Sequence, residues 1–202
     1  MRNEQRIQQI ARLGYDEDEA AFLCLVALHG GYFLSRQYPD FVGKQRGRCV
    51  TSLVNKALAS GHCRTHAYRH NRMVYHLFSK PFYKAIGEED NRNRRERRVF
   101  TIKNKLMCLD FVLANRRHQF LATESEKLEY FEDQLSIDRS YLPTKRYQSR
   151  TKNLATDRYF VDKFPIFIPC EENIERRVHF CFVDEGVVSG PGFETYLRQY
   201  LR

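Results

Sequence analysis

Ile7, Ile10, Ala11 and Leu13 recur at helical spacing and predict a short amphipathic helix that stops at Gly14. The acids Asp16, Glu17, Asp18 and Glu19 follow, where carboxylates favour the positive end of a helix. A second helix is expected through Phe22, Leu25, Val26 and Leu28, closed by Gly30-Gly31. Tyr32-Phe33-Leu34 reads as a short extended entry, and Ser35 as the N-cap of a helix over Arg36 to Val42, with Gly43 as the turn. Between Lys44 and Ala59, Val50, Leu53, Val54, Ala57 and Leu58 form one apolar stripe, so a longer helix is predicted, with Gly61 as its C-cap. His62–Tyr68 and Met73–Phe78 flank the polar turn Arg69-His70-Asn71-Arg72 as a β-hairpin, and a short helix runs from Pro81 to Ile86. Helix, short helix, longer helix and hairpin, in that order, predict a winged helix-turn-helix.

The pattern changes after Ile86. Gly87 to Arg98 is polar and charge-blocked, and reads as a linker whose five Arg either sit in solvent or meet phosphates. Ile102, Leu106, Leu109 and Leu113 mark a helix to about Asn115, and Gln119–Ala122 a short strand. Thr123 and Glu126 form a T-x-x-E capping box before a helix carrying Leu128, Phe131 and Leu135. Residues 136–157 read as an irregular loop, Tyr159–Ile168 and Val178–Asp184 as strands, and Phe193, Tyr196, Leu197, Tyr200 and Leu201 as a last amphipathic helix. That helix pattern reaches the last residues without a cap, which fits a truncated or a compact second domain. The predicted class is α+β: a helix-turn-helix domain over 1–87, a charged linker over 88–98 and a small α/β domain over 99–202.

Composition bounds this picture. The 202 residues suffice for one ordinary domain or two small ones, and 15 Phe with 12 Tyr supply a core. No apolar run approaches the roughly 18 residues that span a bilayer, and no apolar stretch follows the N-terminal Met1-Arg2-Asn3-Glu4-Gln5-Arg6. The six Cys are scattered without a C-x-x-C pair, so reduced, buried thiols and a cytoplasmic protein are expected, with no membrane partner.

The net charge of +9 is local: residues 30–86 hold ten Lys/Arg and the single acid Asp40, while the rest of the chain is nearly balanced. Such a field is the footprint of a polyanion-binding module. On the 44–59 helix, Arg48, Thr51, Ser52 and Asn55 share the face opposite the apolar stripe, and Lys44, Gln45 and Arg46 stand at its start. Arg pairs bidentately with guanine, and Asn or Gln with adenine, so this face is the candidate for reading bases. Arg36, Lys44 and Lys56 are placed as phosphate contacts, and the turn Arg69, His70, Asn71 and Arg72 as a minor-groove or backbone contact.

Three further clusters carry less. His62, Cys63, His66 and His70 suggest zinc, but Cys63 falls on the other face of a strand and a second Cys is missing. Asp162-Lys163 and Asp184-Glu185 suggest a divalent-metal nuclease, yet Gly186 and Val187 follow Glu185 where a lysine is needed. Ser189-Gly190-Pro191-Gly192 lacks a phosphate-loop pattern and reads as a turn into the last helix.

Phe33-Leu34-Ser35-Arg36-Gln37, Arg48, Leu53-Val54, Leu58, Gly61-His62 and Tyr75-His76-Leu77, within Phe22 to Ile86, resemble the winged-helix start of replication-relaxation-type proteins. These occur on bacterial plasmids and integrative elements, with a nuclease-like α/β region after the winged helix, usually without an intact active site. Phe180-Cys181-Phe182-Val183-Asp184-Glu185-Gly186 and Phe193, Tyr196-Leu197 and Tyr200 are similar in style to that region, although the acids are degenerate and the chain ends early. The resemblance implies a mobile-element DNA-binding protein, with a degenerate restriction-endonuclease-like second domain, acting in transfer, replication or its own transcription regulation. The expectation is thus a sequence-specific double-stranded DNA-binding protein, not an enzyme, that uses no cofactor or metal. It pairs as a homodimer on a palindrome, or holds a protein partner or more DNA through its second domain. The alternatives are a magnesium-dependent nuclease or nuclease-derived subunit using Asp162 and Asp184, and a protein-docking adaptor.

Overall fold

Asp16 and Glu19 start the central helix reciprocally: the Asp16 carboxylate accepts from the Glu19 amide at 2.8 Å, and the Glu19 carboxylate accepts from the Asp16 amide at 3.0 Å. The computed structural model describes residues 1–44, 47–68, 72–148, 155–161, 164–170, 177–184, 186, 190–198 and 200. In it the chain divides into two compact units, Met1–Arg116 and Arg117–Arg202. It is a mixed α+β protein with small sheets, in which every described strand pairing is antiparallel.

In the first unit, α1 (Asn3–Ala11) packs on α2 (Glu17–His29), whose Ala20, Phe22, Leu23, Cys24, Val26, Ala27 and Leu28 are all buried. A helix covered on every side belongs at the centre of its unit. β1 (Tyr32–Leu34) leads to α3 (Gln37–Val42) and α4 (Arg48–Ala59), then to β2 (Cys63–Tyr68) and β3 (Arg72–Leu77), which pair in the order β1-β3-β2. The register aligns Phe33 and Thr65 with Tyr75, and Tyr32 and Arg64 with His76. Strand alternation therefore sends Phe33 and Tyr75 to one face, where Phe33 meets Phe22 of α2 edge-on at 5.5 Å. Tyr32 and Val74 go to the other face and form a core with Ile102 and Leu106 of α6 (Val99–Ala114). The helix α5 (Lys80–Ala85) is capped by Ser79 and buries Phe82 and Tyr83, with the Tyr83 hydroxyl donating to the Ala27 carbonyl.

The expected break at 87–98 is absent. Glu88 pairs with the buried Arg6 at 3.6 Å, and Arg92–Arg94 form a 3-10 turn. The Asn93 side chain donates to the carbonyls of Ala27 and Leu28 at 2.9 and 3.1 Å, filling acceptors that the end of α2 leaves open. Asn93 O lies so close to Gly31, at φ +77°, that a Cβ there would come within 2.5 Å of it. The compact unit therefore runs through α6 to Arg116 rather than closing at residue 87.

In the second unit the Thr123–Glu126 capping box forms as predicted, starting α7 (Glu124–Leu128), which continues as a π-helical turn over Glu129–Gln134. β4 (Gln119–Phe120), β7 (Ile166–Ile168) and β8 (His179–Phe180) make one sheet in the order β4-β7-β8. Its core holds Leu121, Tyr130, Phe131, Leu142, Phe160 and Ile166. The predicted loop 136–157 instead contains β5 (Thr144–Gln148), which pairs with β6 (Ala155–Tyr159) in a separate ribbon. The predicted strand 159–168 is divided, because Phe160 adopts φ +47° and turns the chain into the core. α8 (Gly190–Leu197) begins at Gly190, so Gly190-Pro191-Gly192 lies inside its first turn rather than before it; Ser189 lies outside the described residues. No described helix is long and apolar enough to cross a membrane.

Candidate nucleic-acid interface

Helix α4 begins at Arg48, with Gly47 as its N-cap, rather than at Lys44 as the periodicity predicts. Lys44 instead closes α3, its amide donating to the Pro39 carbonyl at 3.1 Å after Gly43 turns left-handed. Leu53, Val54 and Ala57 are buried, and Arg48, Thr51, Ser52 and Asn55 are exposed together on the opposite side, as predicted. From Arg48 to Asn55 is two turns, about 10 Å of helix axis, within the roughly 12 Å width of a DNA major groove.

The cations assigned to phosphates behave differently. The Arg36 guanidinium donates to both oxygens of Asp110 on α6, at 2.9 and 2.5 Å, and lies 3.9 Å from Asp40. Gln37 donates to the same carboxylate at 2.7 Å and to the Leu106 carbonyl at 3.3 Å. The Asp110 hydrogen bond raises the Arg36 pKa further. Lys56 pairs with the Glu19 carboxylate, which is 3% exposed, and its ammonium lies 5.6 Å from the Tyr15 ring centre. Lys56 is structural, compensating an acid that the fold has taken from water, and Arg36 is engaged by a half-exposed Asp110 that it shares with Gln37. Lys44 pairs with Asp18 at 3.1 Å, but both are exposed, and such a pair is weak enough to exchange for a phosphate. Gln45, Arg46, Arg69, His70 and Asn71 lie outside the described residues, and Arg72 stands in β3 opposite Tyr68.

The acids responsible, Asp18, Glu19 and Asp110, are remote in sequence from the basic segment, so counting charge along the chain misses them. Two signals point to them: Asp16-x-x-Glu19 has capping-box spacing, and Asp110 is a lone acid beside Leu106 and Leu109.

The zinc candidates are dispersed. His62 is buried with Nδ1 2.8 Å from the Tyr15 hydroxyl, and burial lowers its pKa. Burial pushes the Cys63 thiol up, while Nδ1 of His66 lies 3.7 Å from Glu96. Among the described residues no group of three or more His, Cys, Asp or Glu is placed to hold a metal. Asp162, Lys163 and Glu185 lie outside the described residues, and Asp184 is exposed. Among the described residues no disulfide forms between the six cysteines; Cys24, Cys63 and Cys108 are buried as expected, whereas Cys170 is exposed.

One buried polar cluster leaves no signal in the residue pattern. His76 is wholly buried, stacked on Tyr32 with centroids 4.1 Å and planes 7° apart. Its Nε2 is 2.9 Å from the Asn93 carbonyl, which only accepts, so Nε2 carries the proton and Nδ1 is left to accept from the Arg64 guanidinium at 3.3 Å. A second proton would be buried and face Arg64, and desolvation above all lowers this pKa to about 4. Lys105 donates to the Asn93 side chain at 2.6 Å, and the Tyr32 hydroxyl accepts from the Arg97 amide at 3.0 Å. The cluster fastens the 88–98 segment to the sheet.

No protein-family model, curated protein or solved structure matches this chain.

Proposed function

We propose that this protein binds double-stranded DNA in a sequence-specific way, with α2, α3, α4 and the β1-β3-β2 sheet serving as a winged helix-turn-helix and α4 entering the major groove. The observation that carries the reading is the split in α4: the fold uses Leu53, Val54, Ala57 and Lys56, and leaves Arg48, Thr51, Ser52 and Asn55 together in solvent. Arg48 is the candidate for guanine and Asn55 for adenine, each worth about 1–3 kcal/mol of discrimination. Thr51 and Ser52 lie between them, and Lys44 supplies a phosphate contact once it leaves Asp18. The resemblance to replication-relaxation-type proteins adds the setting: mobile-element DNA, in transcription, replication or transfer, with two copies on a palindrome.

Selection of bound duplexes from a random-sequence library at two salt concentrations tests this. The proposal expects an enriched motif and affinity that falls steeply as salt rises. Retention without enrichment would remove sequence-specific recognition, and salt-insensitive, negligible binding would remove DNA binding altogether.

A further inference from the structure

The second unit holds a basic stretch that its overall charge conceals. Residues 117–202 carry thirteen Lys/Arg against fourteen Asp/Glu, yet between Asp138 and Asp157 there is no acid at all and five cations. Ribbon β5–β6 lies in this stretch. Among the described residues its strands pair only with each other, Lys145 opposite Arg158, Arg146 opposite Asp157 and Tyr147 opposite Thr156. Thr144, Lys145, Arg146, Gln148, Ala155 and Thr156 are all exposed, so beyond its base the ribbon buries little. The base is anchored: Tyr159 and Phe160 join the core, Phe160 donates to the Pro143 carbonyl, and the Glu124 carboxylate accepts from Arg158 at 2.6 Å and from the Tyr159 amide at 2.8 Å.

A two-stranded ribbon with no apolar face is marginal in water, and like charges directly opposite across strands weaken it further. Lys145 opposite Arg158 is such a pair. The fold answers part of the charge, giving Arg158 to Glu124 and Arg146 to Asp157, the latter through two 2.8 Å hydrogen bonds. Lys145 is exposed, its ammonium 5.7 Å from the Tyr147 ring centre, and Tyr141 near the base is 76% exposed. Cations interleaved with accessible aromatic rings on a narrow, twisted ribbon are complementary to a polyanion with grooves, and a two-stranded ribbon fits a DNA groove.

We infer that the β5–β6 ribbon is a second nucleic-acid contact, one that holds the phosphate backbone of duplex DNA through Lys145 and Arg146 without reading sequence. Arg146, itself well exposed, exchanges its half-exposed carboxylate partner Asp157 for a phosphate oxygen, and Tyr147 keeps the Lys145 stem against the strand. The inference shares its ligand with the α4 reading but rests on different residues in the other unit.

The test uses the full chain with the double variant Lys145→Gln/Arg146→Gln, and the charge-keeping Lys145→Arg/Arg146→Lys beside it. Binding to two duplexes, one selected and one random, is measured across a salt series, with circular dichroism to confirm the fold. The expected result is an equal loss on both duplexes, roughly tenfold, and a salt slope shallower by about 1–2, with the charge-keeping variant close to wild type. Unchanged affinity and slope in a folded Gln variant would overturn the inference, as would a loss confined to the selected duplex. If the library yields no motif, the α4 reading fails by itself, while the change in salt slope still decides the ribbon.

Discussion

Lys56 shows how one side chain decides between a binding and a structural role. Its position on α4 suggests a phosphate contact, but its partner Glu19 is 3% exposed and already accepts from the Asp16 amide. Removing Lys56 leaves a carboxylate out of water with its compensating charge gone, which costs more than an exposed pair would. Lys56→Ala should lower unfolding free energy by about 2–3 kcal/mol, and Lys56→Ala with Glu19→Gln should recover much of it. Urea titration of the two variants checks this; equal losses would mean that the pair is not coupled. Arg36 is engaged by Asp110 in a half-exposed pair, whereas Lys44, exposed beside an exposed Asp18, is left available for the proposed phosphate contact. The sequence legibly separates the outward residues of α4 from the inward ones because helical period decides that. It does not reveal which cations are neutralised, because the acids come from α2 and α6 and meet them only in the folded chain.

At the scale of elements, the segment between α5 and α6 is the clearest case of a role that composition hides. Gly87 to Arg98 is nearly all polar and charged, the usual mark of a linker, yet Asn93 works through its backbone carbonyl and its amide side chain. A contact made by a main-chain oxygen leaves no trace in residue type. His76 accepts from Arg64 through Nδ1 only while neutral; a second proton there would remove that acceptor and put a buried charge beside the guanidinium, leaving the Nε2–Asn93 bond in place. Its pKa is about 4 in the folded chain against an ordinary 6.5, so between those values the unfolded chain binds the extra proton. Stability should therefore fall on acidification from pH 6.5 towards 4, by up to about 1.4 kcal/mol per pH unit for this one group. His76→Phe keeps an aromatic ring on Tyr32 and should flatten the dependence, as read from urea midpoints at pH 7 and pH 5. An unchanged pH dependence in that variant would show that His76 is not the group responsible. The β5–β6 ribbon escaped the sequence for the opposite reason: Lys145, Arg146, Tyr147 and Gln148 give neither apolar alternation nor an apolar run, the patterns by which strands are recognised elsewhere in this chain.

For the molecule as a whole, the sequence order of elements in the first unit survives in the structure nearly intact. Helices and hairpin follow from periodicity and turn residues acting over a few positions, although α3 starts from Arg36 with no side-chain cap rather than from a Ser35 cap. The extent of that unit does not, since α6 joins it through Tyr32, Val74 and Arg36, contacts far apart in the chain. Charge follows the same logic. The excess in residues 30–86 is partly answered by Asp18, Glu19, Glu96 and Asp110, so the proposed reading surface is smaller and more polar than a simple count suggests. That makes base-directed contacts from Arg48 and Asn55, rather than bulk positive charge, the centre of the account. The most direct test is a parallel selection of duplexes by the wild-type chain and by Arg48→Ala and Asn55→Ala, at one fixed salt concentration. Each variant should keep the motif but lose preference at one position, a different one for each. Motifs identical to the wild type in both variants would contradict the account, because α4 would then not be the element that reads DNA.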